Sequence, residues 1–360
     1  DRMQKIRGIL TSERLDGILI SNPSNIYYLT GYAGFSATER EAFILITPND
    51  AFLFTDGRYS EAAGKHIEHF QLLEISHKTP FGKLFHDAVV KKELSRIGFE
   101  ANNITYHEYM MLAKSHLTLI PVNLTNLRAI KDQWEIIAIE KACKLGDDVF
   151  TYACEHIHAG ITEKELAAQI ELYLKEHGAD AAFRPIIAFG SNASMPHHEN
   201  TTRKLVDNEF VLFDLGARLD NYCSDMSRTV FHGKPTNQDT QMYDIVLRAQ
   251  ADAISYITQH LEKKKDISAM DVDNASRKVI LEHGYPQFSH SLGHGTGIQV
   301  HESPSLSPLS KNLLTEGMVF SLEPGIYMAD KVGIRIEDLA TIQDHTLRIL
   351  THSPKELLCL

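Results

Sequence analysis

Apolar runs alternate with amphipathic stretches over the first part of the chain. Predicted strands are 15–20 (LDGILI), 42–48 and 50–55, and predicted helices are 2–14 and 58–66. An aromatic, glycine-punctuated segment, NIYYLTGYAGFS (25–36), lies between them. This alternation predicts a small α/β domain. Its pattern ends within 120–132, and we place the boundary after residue 126.

The hydrophobic pattern changes at Gln133, from which apolar residues recur at helical spacing as far as Ile157. Thr162 and Glu165 form a capping box that opens another helix. Further predicted helices are 237–262 and 268–283, and strand-like segments are 209–217, 221–231, 317–324 and 333–342. The remainder of the chain, 127–360, is therefore predicted to be an α+β domain built from antiparallel hairpins.

The composition agrees with two folded domains. The chain has 360 residues, of which 43% are hydrophobic and 23% charged. Its net charge of −11 argues against nucleic-acid binding, which requires a basic surface. No apolar run approaches the roughly 18 residues that span a bilayer, and the N-terminus lacks the apolar core of a secretory signal. The four cysteines show no CxxC spacing, so we expect free thiols and a cytoplasmic location.

Two acidic residues mark the ends of neighbouring strand-like runs. Asp214 follows the apolar run VLF, and Asp225 lies eleven residues further on, across a polar turn at 219–221. If the turn closes a hairpin, the two carboxylates lie opposite or diagonal on one face, where like charges repel. Because buried unpaired carboxylates are costly, an attractive partner is required.

A second segment repeats this arrangement. Glu323 and Glu337 are fourteen residues apart around a turn near 328–331, and both Asp214 and Glu323 are followed two residues later by glycine. This duplication predicts two related half-domains that present two carboxylates each to a shared centre. Two divalent cations would neutralise a charge of about −4. The alternative is that each acid is an ordinary strand residue paired with Lys or Arg.

Histidines supply the remaining candidates. His290, His294 and His301 lie in FSHSLGHGTGIQVHE, whose glycines favour a loop or strand edge with close backbone approach. Neutral imidazole is a common metal ligand, although at least one of the three is expected to be structural. In GSNASMPHHEN either His197 or His198 is a further candidate, and His197 is preferred. Carboxylates with one imidazole favour Mn²⁺ or Co²⁺, with Zn²⁺ as a third option.

With these residues assembled, the chain resembles the pita-bread metallopeptidases over nearly its whole length, and among them the Xaa-Pro dipeptidases (prolidases) and aminopeptidase P enzymes. The family's metal ligands are matched by Asp214 in FDLG, Asp225 in YCSDMSR, His294 in SLGHGTG, Glu323 in SLEPG and Glu337 in RIED. The family's substrate-side PH motif falls on His197. His290, His301 and Arg335 also stand at the positions that the family pattern implies.

The first domain resembles the creatinase-type N-terminal domain through NIYYLTGY (25–32) and TDGRY (55–59). Methionine aminopeptidases share the metal motif but usually lack this domain, and creatinase has both domains without the ligands. The resemblance implies a pita-bread catalytic domain at 127–360 preceded by a creatinase-like domain at 1–126. It also implies two divalent metal ions, and a homodimer in which the first domain helps to restrict access to short peptides.

The resemblance also implies roles for individual residues. We expect two cations to share a water molecule near Asp225 and Glu337 and to lower its pKa. Glu323 is expected to pass the proton of that water to the leaving nitrogen. Arg335 is expected to hold a neighbouring acid in place. The residues expected to donate hydrogen bonds to the scissile carbonyl and the tetrahedral intermediate are His197, His301 and His290.

Three functional hypotheses follow. The leading one is an Xaa-Pro dipeptidase, the second is an aminopeptidase P acting on longer peptides, and the third is a non-catalytic binding protein with the same fold. Proline lacks an N–H and its ring fixes φ, so either enzyme requires a pocket shaped for the ring. The residues that form this pocket cannot be read from the sequence.

Overall fold

The computed structural model describes residues 2–36, 39–114 and 116–360. The chain divides into two compact units, Asp1–Leu127 and Arg128–Leu360. None of the helices in the described ranges is long and apolar enough to cross a membrane.

The first unit contains a mixed sheet flanked by helices. Its elements are α1 (Arg2–Glu13), β1 (Gly17–Ile20), α2 (Pro23–Thr30), β2 (Ala42–Ile46), β3 (Ala51–Asp56), α3 (Ser60–Gly64), β4 (Gln71–Ile75), α4 (Phe81–Lys91), β5 (Arg96–Glu100), α5 (Tyr106–Ala113) and β6 (Thr118–Val122). Within the described residues the strand order is β4-β3-β2-β1-β5-β6, with β1 antiparallel to β2 and parallel to β5. The predicted α/β character of this part is confirmed.

Helix α2 lies in the segment to which the sequence pattern assigned neither helix nor strand. The side chain of Asn22 accepts hydrogen bonds from the backbone N–H groups of Ser24 and Asn25, and Pro23 occupies the first turn. Gly31 ends the helix with a φ of 73°, a left-handed conformation that glycine adopts without strain. The helix was missed because it is short and its aromatic residues do not follow a clear helical period.

The second unit combines long helices with antiparallel ribbons. Its elements are α6 (Gln133–His156), α7 (Glu163–Glu176), β7 (Asp180–Ala181), β8 (Ile186–Phe189), a 3-10 helix (Gly190–Ser194), β9 (Glu209–Leu215), β10 (Ala217–Leu219), β11 (Tyr222–Cys223), β12 (Met226–His232), α8 (Asn237–Glu262), β13 (Ile267–Ser268), α9 (Ala269–Glu282), β14 (Gly293–Gly295), β15 (Glu302–Leu306), β16 (Leu313–Leu314), β17 (Val319–Leu322), β18 (Gly325–Met328), β19 (Val332–Arg335), β20 (Asp338–Gln343) and β21 (Thr346–Ile349). The α+β class predicted for this part is confirmed.

Two similar ribbons organise this unit. Strands β9 and β12 pair antiparallel, and the chain between them forms the short pair β10–β11. Strands β17 and β20 likewise pair antiparallel, and the chain between them forms the short pair β18–β19. Each ribbon has a helix-covered core: α6 and α7 supply residues to the first, and α8 and α9 to the second. The duplication predicted from the acidic residues is therefore present in the strand pairing.

Buried polar contacts tie the helices to these ribbons. Gln250 of α8 is 1% exposed, and its amide nitrogen donates to the carbonyl oxygens of Leu322 (3.0 Å) and Ile336 (3.3 Å). These two carbonyls belong to the residues immediately before Glu323 and Glu337. Because one buried amide donates to both carbonyls, it holds the two chain segments that lead to these acids in place.

Candidate metal centre

The first ribbon brings Asp214 and Asp225 to the same end. Asp214 is the penultimate residue of β9, and Asp225 immediately precedes β12, whose Met226 pairs with Leu215. The intervening hairpin turns at Asp220 and Asn221, with φ values of 49° and 68°. A two-residue turn with both φ values positive matches the twist of the flanking strands, and Asp and Asn tolerate it better than most residues.

The second ribbon repeats this geometry. Leu322 pairs with Asp338 at the end of β17 and β20, so Glu323 and Glu337 lie just beyond the last strand pair. The backbone N–H of Glu337 donates to the carbonyl of Ser227 at 3.0 Å, which joins the second ribbon to the first. The strand ends of both ribbons, with their four acids, are thus fixed against each other.

His294 lies on β14 between two close backbone neighbours. A Cβ added to Gly293 would lie 1.9 Å from the carbonyl oxygen of Ser321, and one added to Gly295 would lie 2.1 Å from that of Ser303. Any larger residue at either position would force the strands apart. The close backbone approach predicted from the glycine-rich stretch is therefore confirmed, and its effect is to hold His294 against the second ribbon.

Oxygen and nitrogen ligand atoms converge in one place. Asp225, His294 and Glu337 each offer an atom such that all three lie within 4.8 Å of one another. His294 Nε2 is 3.3 Å from Glu323 Oε1 and 3.6 Å from Asp225 Oδ2. All five predicted ligands line a single cavity of ≈ 500 Å³, and Asp225 and Glu337 are 4% and 2% exposed.

The pKa values of the four acids show that burying them together disfavours their ionised forms. Burial, and next the charge of Glu337, raises the pKa of both Asp225 and Glu323 well above the usual range. Burial likewise raises the pKa of Glu337 to about 8. Burial raises the pKa of Asp214 as well, although Arg335 opposes it. The positive charge that the protein itself supplies is too small to keep the pKa values of these carboxylates in their usual range.

Unpaired acceptor atoms indicate that a divalent cation fits here. Asp214 Oδ1 and Glu337 Oε1 are buried and accept no hydrogen bond from any described residue. Burial lowers the pKa of His294 to about 4, and its Nδ1 donates to the carbonyl of Gly295 at 3.2 Å. Its Nε2 therefore presents a lone pair toward carboxylate oxygens. Several acceptors facing one another without a donor are the ligand set that a cation requires.

Arg335 connects the acids across the two ribbons. This arginine is 3% exposed; its Nη2 donates to Asp214 Oδ2 at 2.6 Å and its Nε to Ser227 Oγ at 2.8 Å. Ser227 Oγ in turn donates to Glu337 Oε2 at 2.7 Å. One oxygen of each of these two acids is thus engaged, and the other is buried without a hydrogen bond from any described residue.

Two serines support the acids and were missed in the sequence. Ser227 follows Asp225 by two residues, and Ser321 precedes Glu323 by two. Ser321 Oγ donates to Glu323 Oε1 at 3.1 Å and accepts from the backbone N–H of His294 at 3.0 Å. The two-residue spacing is a usable signal, because residues i and i+2 of a strand share a face.

The adjacent histidines 197 and 198 have different environments. His198 is 7% exposed, and its Nε2 lies 2.8 Å from Oε2 of Glu163. Glu163 also accepts hydrogen bonds from the N–H groups of Phe189 and Thr201, so it anchors this loop to α7. His197 is exposed and lines the cavity. Both histidines therefore line the cavity, but His198 is buried and paired with Glu163, whereas His197 is exposed.

His301 and His290 also line the cavity. The ring of His301 is exposed, with its centroid 4.4 Å from that of His294. His290 has both ring nitrogens engaged: Nδ1 lies 2.8 Å from the carbonyl of Ser291 and Nε2 lies 3.0 Å from Tyr327 Oη. Burial lowers the pKa of His290 to about 3, so its ring is neutral. Unlike His301, His290 has no free nitrogen to offer a ligand.

Tyr327 is a further residue that the sequence did not indicate. Its Oη accepts from Arg335 Nη1 at 2.9 Å and lies beside His290 Nε2, so it links the histidine to the arginine. Its place on the short pair β18–β19 gives it access to both. No local pattern marks it, since its two partners are eight and thirty-seven residues away.

Comparisons with known proteins agree with this arrangement. Residues 138–344 match the model of metallopeptidase family M24, and residues 2–130 match that of the creatinase/prolidase N-terminal domain. The chain is 35% identical to the uncharacterized peptidase YqhT of Bacillus subtilis (strain 168), with 100% of both sequences covered. A Xaa-Pro dipeptidase from Bacillus anthracis is 29% identical, with a TM-score of 0.91 and coverage of 100% and 99%. An X-Pro aminopeptidase from Thermotoga maritima MSB8 is 30% identical, with a TM-score of 0.87 and 100% coverage of both chains.

Adding Mn²⁺ is expected to stabilise the wild-type protein by about 3 kcal/mol at a hundredfold excess over Kd, because the cation binds only the folded acid cluster. Asp225→Asn should unfold at a higher temperature than the wild type in chelator, because it removes a buried, repelled charge. It should also lose most of the Mn²⁺ response. Thermal unfolding with and without MnCl2 measures both effects, and Asp266→Asn, at an exposed site, is the control. An unfolding temperature of the wild type that ignores Mn²⁺ contradicts a cation site.

Glu163→Gln is expected to cost about 3 kcal/mol at pH 7, because it weakens several buried, charge-assisted hydrogen bonds. Burial alone would raise the pKa of Glu163, but hydrogen bonds from His198, Phe189 and others outweigh it, so the pKa is lowered below 4.5. A depressed folded pKa stabilises the protein above pH 4.5, and this contribution is lost as the pH falls through the folded value. Urea unfolding from pH 7 to 3 should therefore show the free energies of unfolding of the wild type and the variant converging.

The control is Glu171→Gln, on the exposed face of α7. A difference in the free energy of unfolding that does not depend on pH would disprove the assignment.

Proposed function

Because the chain belongs to metallopeptidase family M24, we propose that it hydrolyses the bond before proline in Xaa-Pro dipeptides and uses two divalent metal ions. The observation that supports this most strongly is the convergence of four carboxylates and one imidazole on one cavity. The similarity to the B. anthracis Xaa-Pro dipeptidase over the full chain supports the substrate class.

The proposed ligands are Asp214, Asp225, His294, Glu323 and Glu337. Metal ions bound there would supply a water molecule of lowered pKa and polarise the scissile carbonyl. Carboxylate oxygens with one imidazole suit Mn²⁺ or Co²⁺, and Zn²⁺ is the third candidate. Arg335 is a positioning residue, since it fixes one oxygen of Asp214 and reaches Glu337 through Ser227.

Proton transfer is assigned to Glu323. Its Oε1 accepts from Ser321, which leaves Oε2 to take up a proton and deliver it to the proline nitrogen as the bond breaks. His197 and His301, both exposed on the cavity, donate hydrogen bonds to the carbonyl oxygen and its tetrahedral intermediate. We assign His290 a supporting role through Tyr327, because both its nitrogens are engaged within the chain.

The cavity wall suits a proline ring. Phe183, Pro185, Ile186 and Val300 supply apolar surface beside the acidic cluster. A peptidase that grips an extended backbone through N–H groups handles proline poorly, because the proline nitrogen carries no hydrogen. An apolar wall recognises the ring by shape instead. The cavity volume of ≈ 500 Å³ is in the range of small-molecule sites.

A second candidate is aminopeptidase P, which the similarity to the T. maritima X-Pro aminopeptidase favours. We also propose a homodimer and a cytoplasmic location, the latter because the four cysteines are free thiols. Light scattering of the purified protein tests the dimer, and a monomeric mass would disprove it.

The dipeptidase assignment predicts cleavage of Ala-Pro with at least about tenfold higher kcat/KM than Ala-Pro-Ala, because a free carboxylate next to proline is part of the recognised group. Steady-state assays with Mn²⁺ measure this ratio. The reverse preference supports aminopeptidase P. Cleavage of neither peptide would favour a non-catalytic binding protein and refute the enzymatic proposal.

Glu323→Ala is expected to lower kcat for Ala-Pro by about 10³-fold or more, because it removes both a ligand and the proton carrier. Glu323→Gln should be almost as inactive, since the amide keeps the shape but accepts no proton. Glu282→Gln, at an exposed position of α9, is the matched control and should retain full activity. Near-normal kcat in Glu323→Gln would exclude this residue as the proton carrier.

A further inference from the structure

The basic side chains that line the cavity differ in how many partners they have within the chain. Arg335 is buried against Asp214, Ser227 and Tyr327. The rings of His290 and His294 each have a nitrogen within hydrogen-bond distance of a backbone carbonyl. Arg184 differs from these groups.

Arg184 is exposed, lines the same cavity, and makes no ion pair or hydrogen bond with any described residue. An arginine carries its charge at every physiological pH and presents five N–H donors in a planar fork. It is therefore a permanent cation at the substrate cavity whose donors are available to a ligand.

The backbone around Arg184 is anchored on both sides. Ala182 donates its N–H to the carbonyl of Gly216 at 2.8 Å, and Ile186 pairs with Asp214 across β8 and β9. Arg184 thus lies on a short connection two residues from the strand pair that contains a proposed metal ligand. A strand residue spans about 3.3 Å, so Arg184 is separated by about 7 Å of backbone from Ile186, which pairs with Asp214.

We propose that Arg184 binds the free α-carboxylate of the C-terminal proline, which rests on the dipeptidase function proposed above. A guanidinium forms two parallel hydrogen bonds to a carboxylate. In proline the ring and the carboxylate share one Cα, so recognition requires an apolar wall beside a cation. Phe183, Pro185 and Ile186 flank Arg184 in the sequence and line the same cavity.

Electrostatics also orients the substrate. Arg184 attracts a carboxylate, whereas the charge of the acidic cluster is neutralised once two cations are bound. A dipeptide therefore enters with its carboxylate at Arg184 and its scissile bond toward the acidic cluster. A longer peptide has a neutral amide in place of this carboxylate, so it cannot form the charged pair. Arg184 is thereby a residue that determines selectivity for dipeptides.

The test compares Ala-Pro with Ala-Pro-amide, using the Mn²⁺-loaded enzyme. Arg184→Met should raise KM for Ala-Pro about tenfold and leave kcat within about twofold, because the pair forms in both ground and transition states. KM for Ala-Pro-amide should not change. Arg184→Lys should restore part of the preference for Ala-Pro, since it keeps the charge without the planar fork.

Arg218→Met is the matched control, because Arg218 is an exposed arginine of β10 that does not line this cavity. Raising NaCl should increase KM for Ala-Pro in the wild type and in Arg218→Met but not in Arg184→Met, since an exposed ion pair is screened by salt. This salt response separates a direct charge interaction from a change in loop structure.

The outcomes distinguish this inference from the proposed function. If the wild type does not cleave Ala-Pro, the dipeptidase function itself is refuted. If the wild type cleaves Ala-Pro and Arg184→Met leaves KM and the salt response unchanged, only the role of Arg184 is refuted. Equal losses for Ala-Pro and Ala-Pro-amide would likewise overturn it, because they would show that the side chain does not recognise the carboxylate.

Discussion

The concentration of four carboxylates at one cavity is the constraint on which the rest of the structure depends. Burial raises the pKa of all four groups, and the charges of neighbouring acids raise it further at Asp225, Glu323 and Glu337, although Arg335 opposes the effect. A fold that keeps such groups together must hold them rigidly and rely on bound cations for the missing charge. The two ribbons, the glycines beside His294 and the amide of Gln250 all serve that requirement.

The two similar ribbons provide this rigidity. Each ribbon carries two acids at the end of a strand pair and a serine two residues from one of them. The ribbons are joined by a backbone hydrogen bond from Glu337 to Ser227 and by the Arg335 side chain. Arg335, Ser227 and Ser321 each fix one oxygen, of Asp214, Glu337 and Glu323 respectively, so the other oxygens of these acids are preorganised for ligands.

The cavity also has two kinds of surface with different roles. The acidic cluster is buried and interlocked, whereas His197, His301 and Arg184 are exposed and their side chains make no hydrogen bond with any described residue. Groups of the first kind can support the same hydrolytic chemistry for many substrates. Groups of the second kind contact what differs between substrates, such as a free carboxylate or a continuing chain. In the proposed enzyme, selectivity for peptide length is thus separable from the chemistry of bond cleavage.

From the sequence alone followed the strands that end in acids, the turns between them, the capping box of α7 and the close backbone approach of the glycine-rich segment around His294. All of these depend on spacing between near neighbours, which local backbone geometry dictates. Only the tertiary structure decided which of two adjacent histidines is held by a partner, since Glu163, thirty-five residues from His198, contacts that ring and His197 stays exposed. The same holds for the partners of Arg335, Ser227 and Tyr327, and for the side chain of Arg184, which has no hydrogen bond or ion pair with any described residue. Contacts between distant segments depend on how the ribbons pack, and no local pattern encodes that packing.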